Sequence, residues 1–123
     1  MDVPLVALPE AVEGLCAINF RLLGALRGQV PRLYESRVVY REPGKRKWHT
    51  VADLYDLGYG DCKDLVAARV AELRFFDAEL AHPHVYLTQR DRRFHAQVIR
   101  ADGSYEDPSE ILLDNERSRG ARR

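Results

Sequence analysis

The chain has few of the residues that build disulfide frameworks, membrane spans or nucleic-acid surfaces. Its 123 residues include two cysteines, so at most one disulfide could form, and a chain without an export signal gives little reason to expect one. Lys plus Arg and Asp plus Glu number 19 each. This balance disfavours a dedicated nucleic-acid binder, which usually carries a basic face. No apolar run approaches the ~20 residues that a membrane span requires.

The sequence also lacks repeats, low-complexity tracts and linkers rich in Pro, Gly or Ser. We therefore expect one domain over residues 1–113, a size at which single domains are common. The last ten residues, DNERSRGARR, contain four Arg, two acids and no apolar stripe, which predicts a flexible basic tail over 114–123. The start, MDVPLVALPE, lacks the basic and apolar segments of a secretory signal. We therefore expect cytoplasmic synthesis without classical secretion.

Hydrophobic periodicity predicts helices followed by strands. A helix between Pro9 and Gly28 has an apolar stripe at spacings of three and four, formed by Leu15, Ile18, Leu22 and Leu26. Thr50 and Asp53 resemble a capping box that opens a short helix, and Asp61 is a good N-cap for a longer helix to about Phe76. Strand-like segments cover 37–42, 85–88, 94–99 and 104–107. This order favours an α+β fold in which helices pack on a small antiparallel sheet.

Cys62 lies at the first turn of the longer predicted helix, directly after Gly58, Gly60 and Asp61. Glycines allow the backbone to approach whatever binds above the sulfur. The positive end of a helix lowers a thiol pKa, so we expect an accessible thiolate here. Cys16 lies beside the apolar stripe of the first helix, where a buried and inert thiol is the expected structure.

His95 lies within an alternating strand, and Asp107 ends the next one. If the loop over 101–103 has three residues with a left-handed Gly103, Gln97 faces Asp107. His95 and Asp107 are then diagonal neighbours on one sheet face, ~7–8 Å apart at the backbone. A two-residue loop would turn Asp107 to the opposite face. A carboxylate in contact with the imidazole would fix its tautomer and leave the other ring nitrogen free to accept a proton.

Three motifs therefore occur in order: GDCKDL from Gly60, HAQV from His95 and DGSYEDPS from Asp102. Together they resemble the transglutaminase-like, papain-related cysteine superfamily, in which a helix-start Cys precedes a His on one strand and an Asp on the next. The resemblance covers about Trp48 to Leu113. It is greatest to the short, single-domain members encoded by tailed phages and prophages.

The resemblance implies that Cys62 is a nucleophile, His95 a general base and acid, and Asp107 the carboxylate that orients His95. It implies acyl transfer or amide hydrolysis on a protein or peptide substrate through a thioester, without a cofactor. The Cys62 backbone N–H is the expected oxyanion donor because it lies at a helix start. Additional oxyanion or pocket candidates are Trp48, Tyr59 and Gln97.

Two alternatives stay open. Zinc could take ligands from Cys62, His82, His84, His95 and Asp107. However, His82 and His84 are predicted to lie in a loop, and no second Cys or His is near Cys62 in the sequence, so we expect no metal. The other alternative is a non-catalytic phage or prophage protein that keeps the fold as an interaction module. Such a protein would bind a phage structural protein and be assembled into a virion.

Overall fold

A computed structural model describes residues 7–42, 47–90 and 92–121. Its elements, in chain order, are α1 (Leu8–Ala25), a 3₁₀ turn (Leu33–Glu35), β1 (Val39–Tyr40), α2 (Val51–Leu57), β2 (Tyr59–Gly60), α3 (Cys62–Phe76), β3 (His82–Leu87), β4 (Phe94–Ile99), β5 (Tyr105–Glu106) and α4 (Pro108–Ala121). The predicted α+β class is therefore confirmed. Among the residues described, none of the helices combines the length and apolar character that crossing a lipid bilayer requires.

Two small sheets occur in the described ranges. Strands β3, β4 and β5 form an antiparallel sheet in that order, whereas β1 and β2 form a separate parallel pair. The inner face of the larger sheet is buried at Ala96 and Val98, because alternate residues of a strand point to the same side. These side chains share a core with α1 and α3. Strand β1 falls within the predicted strand over 37–42, but its parallel pairing with the two-residue strand β2 was not predicted.

The N-terminal helix is confirmed, but its predicted apolar stripe is buried only in part, with Leu15 buried and Leu22 half-buried. The buried side chains of α1 are Val12, Leu15, Cys16, Asn19 and Leu23. Ile18 is 50% exposed and Leu26 is 41% exposed. The Asn19 Oδ1 accepts a hydrogen bond from the backbone N–H of Val51 at 2.8 Å, so this polar residue belongs to the packed face. A stripe of apolar residues alone therefore predicts the buried face of this helix only in part.

The predicted helix starts are confirmed at α2 and α3. Thr50 and Asp53 form a reciprocal capping box at the start of α2, and Asp61 and Asp64 form another at the start of α3. In each box the first residue accepts from the backbone of the third helical residue, whose own side chain accepts from the backbone of the first. This arrangement begins α3 at Cys62.

The C-terminal segment corrects the predicted flexible tail. Helix α4 continues through Ala121, and residues 122 and 123 of the predicted tail lie outside the described part. Leu112 is fully buried, and the Glu116 carboxylate pairs with Arg41 at 2.9 Å. Pro108 occupies the first helical position, where proline is well tolerated. The first turns of α4 are therefore packed, with Pro108 and Ser109 buried and Ile111 and Leu113 half-buried.

Candidate active site at the start of α3

The beginning of α3 lies at the side of β4 that β5 leaves open. The Arg100 N–H donates to the Ser104 carbonyl at 2.8 Å, on the side of β4 where β5 pairs. Because alternate residues of a strand direct their N–H groups to the same side, the Ala96 N–H points to that side as well. Strand β5 ends at Glu106, and the Ala96 N–H beyond it is directed at the Cys62 thiol. The Cys62 Sγ also lies 4.0 Å from the Phe94 carbonyl oxygen. The thiol thus lies next to the backbone on both sides of residue 95.

His95 and Asp107 are in direct contact. The His95 Nε2 lies 2.6 Å from the Asp107 Oδ2, and the two side chains are 24% and 11% exposed. The Asp107 Oδ1 accepts hydrogen bonds from the backbone N–H groups of Ser109 at 3.1 Å and Glu110 at 3.4 Å. Asp107 therefore caps α4 with one oxygen and holds the imidazole with the other. In a neutral ring with its proton on Nε2, the Nδ1 lone pair is free to act as a base.

The bulged hairpin turn that this contact requires is confirmed. Val98 pairs with Glu106 and Ile99 with Tyr105. This is the predicted register, in which Gln97 is opposite Asp107 one residue further along. Gly103 has φ +87°, a backbone conformation that glycine adopts more easily than other residues. The three-residue loop therefore places His95 and Asp107 on the same sheet face.

The expectation of a depressed Cys62 pKa is wrong. Burial raises the pKa of the thiol to about 11, and the neighbouring Asp61 carboxylate acts in the same direction. The Ala96 N–H and the Lys63 ammonium oppose this rise without reversing it. A buried anion loses its hydration, so the thiol is neutral at rest near pH 7.

Tyr86 lies against the His95 ring and within electrostatic reach of both Cys62 and Asp107. Its ring centroid lies 5.6 Å from that of His95, edge to face. Burial raises the pKa of Tyr86, and both Asp107 and Cys62 add to the rise. Both groups are therefore within electrostatic reach of the same phenol. Within the described part of the chain, no hydrogen bond joins the Cys62 thiol to the imidazole.

The three additional pocket candidates lie in different parts of the structure. Trp48 is half-buried and packs against the same core cluster as Cys62. Tyr59 is half-buried on β2, with its ring 6.3 Å from that of His49. Gln97 is half-buried on the sheet face that carries His95. Of these three, only Trp48 shares a packing cluster with the thiol.

Sequence reasoning missed the buried pair formed by His49 and Asp64. The His49 Nδ1 lies 3.0 Å from the Asp64 Oδ2, and Asp64 is fully buried. Burial raises the pKa of Asp64 to about 6. The sequence signal for Asp64 was a negative charge in the first turn after the Asp61 N-cap, but nothing in the spacing predicted its burial or His49 as its partner.

A second missed signal is the start of α4. An Asp before Pro at the first helical position is a recognised helix start, and Asp107 and Pro108 show this pattern. Helix α4 matters for the site because its first backbone N–H groups fix the Asp107 carboxylate.

The structure corrects the predicted loop at His82 and His84. Both residues lie on β3, and alternate residues of a strand share a face. The His84 ring packs against Tyr86 at 5.3 Å and against Tyr105 at 5.4 Å. Over the described ranges, no cluster of three or more His, Cys, Asp or Glu side chains is arranged to hold a metal ion.

Comparisons of the chain with protein-family models, with curated proteins and with solved structures find no match. The geometry of the described residues is therefore the basis for any functional assignment.

Proposed function

We propose that the protein is a transglutaminase-like cysteine peptidase, amidase or acyltransferase that acts on a protein or peptide through Cys62, His95 and Asp107. The main supporting observation is the 2.6 Å contact between His95 and Asp107. The Cys62 thiol lies next to the backbone of the two residues that flank His95. This combination of helix-start thiol, imidazole and orienting carboxylate is the one that nucleophilic cysteine catalysis uses. The motif resemblance points to the same chemistry.

The raised pKa of Cys62 requires general-base activation rather than a resting thiolate. The thiol proton passes to the His95 Nδ1 as the sulfur attacks the substrate carbonyl carbon, and the resulting imidazolium is stabilised by Asp107. The tetrahedral oxyanion accepts a hydrogen bond from the Cys62 N–H, since the first N–H groups of a helix have no partner within it.

Collapse of that intermediate breaks the carbon–nitrogen bond and leaves a thioester on Cys62. His95 returns its proton to the departing amine. Water or a second amine then attacks the thioester, gives a proton to His95 and releases the acyl group as an acid or a new amide. The thiolate takes the proton back, so the cycle consumes only the substrate and the attacking water or amine.

Acetylation by p-nitrophenyl acetate tests this mechanism without a known substrate. We expect one acetyl group per chain, located on Cys62 by peptide mass spectrometry, together with release of p-nitrophenolate. His95→Gln should slow acetylation by about 10²-fold or more, because general-base catalysis typically contributes 10²–10⁴. Asp107→Asn should also slow it, because the imidazole loses its anionic partner.

Two controls complete the experiment. Cys16→Ala should acetylate like the wild type, because Cys16 is fully buried, and Cys62→Ala should not acetylate. Acetylation of Cys62 at the same rate in the wild type and in His95→Gln would show that the imidazole does not activate the thiol.

The second candidate function is a non-catalytic phage or prophage module that binds a phage structural protein and is assembled into a virion. The observation that favours it is the buried, backbone-contacting thiol whose pKa is raised to about 11. For this function, His95→Gln would leave acetylation unchanged and a full-length virion component would copurify with the chain.

A further inference from the structure

Asp64 does more than complete a helix cap. Its side chain is fully buried, and its Oδ1 accepts a hydrogen bond from the His49 backbone N–H at 3.0 Å. Its Oδ2 lies 3.0 Å from the His49 Nδ1 and accepts from the Asp61 N–H at 3.3 Å. The Asp64 carboxylate therefore links Asp61, which precedes Cys62, to His49, which follows Trp48.

Lys63 holds the same segment from a more exposed side. Its Nζ donates to the Lys47 carbonyl at 2.7 Å and to the Asp61 Oδ2 at 2.6 Å. The same ammonium lies 4.9 Å from the centroid of the Trp48 ring. Two successive residues of α3 thus bind the backbone immediately before and after Trp48.

The capping box of α2 provides an internal comparison. Asp53 has the same position in its box as Asp64, but it is exposed. Capping a helix therefore does not require a buried carboxylate in this protein. Burying a carboxylate costs free energy unless several hydrogen bonds compensate it, and those that compensate Asp64 come largely from the segment that contains Trp48.

We propose that Lys63, Asp64 and His49 form a clamp on residues 47–49 that positions the Trp48 indole as the wall of the acyl-binding site beside Cys62. They are positioning residues, and this inference rests on the proposed function of Cys62. Trp48 and Cys62 pack against one core cluster, so we expect a shift of the clamped segment to change the surroundings of the thiol. The clamp also assigns a role to Trp48 that the motif resemblance left open.

The single tryptophan of the chain makes its fluorescence a direct measure of the clamp. Lys63→Gln and His49→Gln should shift the emission to longer wavelength and raise the acrylamide quenching constant about twofold, because the indole gains access to water. Lys63→Arg keeps the charge and should restore wild-type quenching. Asp53→Asn is the matched control, since it alters an equivalent cap outside the clamp and should leave the indole unchanged.

Acetylation of Cys62 by p-nitrophenyl acetate supplies the functional measurement. Lys63→Gln should slow it by about 10-fold, since small displacements at an active site cost up to about 10²-fold, while far-ultraviolet circular dichroism stays that of the wild type. Lys63→Arg should recover the rate. Rescue by the arginine variant separates positioning from a general loss of stability.

Wild-type quenching in both Lys63→Gln and His49→Gln would overturn the clamp. Changed quenching with an unchanged acetylation rate would overturn its link to the site. If the wild-type protein is not acetylated at Cys62, the proposed function fails, whereas the fluorescence measurements still decide whether the clamp exists. Asp64→Asn is informative as a third variant if its circular dichroism shows a folded chain.

Discussion

The pH dependence of Cys62 alkylation is the prediction that bears most directly on the mechanism. Burial raises the pKa of this thiol to about 11, whereas a free cysteine has a pKa of about 8.5. At about pH 8 the thiolate fraction is then ~10⁻³ for Cys62 and roughly one quarter for the free amino acid. Because the thiolate is the reactive form, iodoacetamide should modify Cys62 about two orders of magnitude more slowly than free cysteine.

The assay is quenched alkylation followed by peptide mass spectrometry, repeated from about pH 6 to about pH 9.5. The logarithm of the rate should rise with a slope near one and show no plateau, since a thiol titrates in proportion to hydroxide below its pKa. Cys16 should remain unmodified because it is fully buried and burial raises its pKa as well. Unfolded protein provides the control for intrinsic reactivity.

A plateau beginning below about pH 8, or a rate equal to that of free cysteine, would refute this reasoning. Such a result would show that Cys62 exists as a thiolate paired with a charged imidazole. The His95→Gln variant distinguishes the two cases. Its alkylation profile should match the wild type if the resting thiol is neutral, and it should lose the plateau if an ion pair is present.

Three further predictions concern the framework of the site, each measured by urea denaturation. Gly60→Ala should lower the free energy of unfolding by about 1–3 kcal/mol, because its new methyl group would overlap the Leu54 side chain. Gly14→Ala, with no atom within 4 Å of the new group, should instead raise it by up to ~1 kcal/mol; equal effects would contradict the packing explanation. Gly103→Ala should cost about 1–2 kcal/mol because of its positive φ, and wild-type stability would exclude the bulged turn. Asp107→Ala should be less stable than Asp107→Asn by about 1 kcal/mol, because only Asn keeps an oxygen for the α4 cap; no difference would show that the cap contributes little.

Local sequence patterns predicted the features that depend on neighbouring residues. The capping boxes at Thr50 and Asp61 join residues three apart, so their spacing is visible in the sequence. The hairpin at Gly103 is similar, because loop length sets which residues face each other across two strands. These local rules predicted that His95 and Asp107 lie on one sheet face if the turn has three residues.

Features that depend on distant segments could not be predicted in this way. The buried face of α1 includes Asn19, which accepts a hydrogen bond from the Val51 backbone N–H, and a polar residue on a buried face has no signal in hydrophobic periodicity. The partner of Asp64 is fifteen positions earlier in the chain, and no motif joins the two.

The sequence by itself determined the identity and order of the thiol, imidazole and carboxylate, together with the helix start and hairpin that carry them. Only the tertiary structure decided the protonation state of Cys62, because burial and the Asp61 carboxylate raise the thiol pKa more than the Ala96 N–H and the Lys63 ammonium lower it. A helix start acts on a thiol through its own first turn, whereas desolvation depends on every segment packed around the sulfur. The clamp on residues 47–49 also depends on tertiary packing, because the fold places Lys63 and Asp64 against these residues. The sequence alone therefore did not predict it.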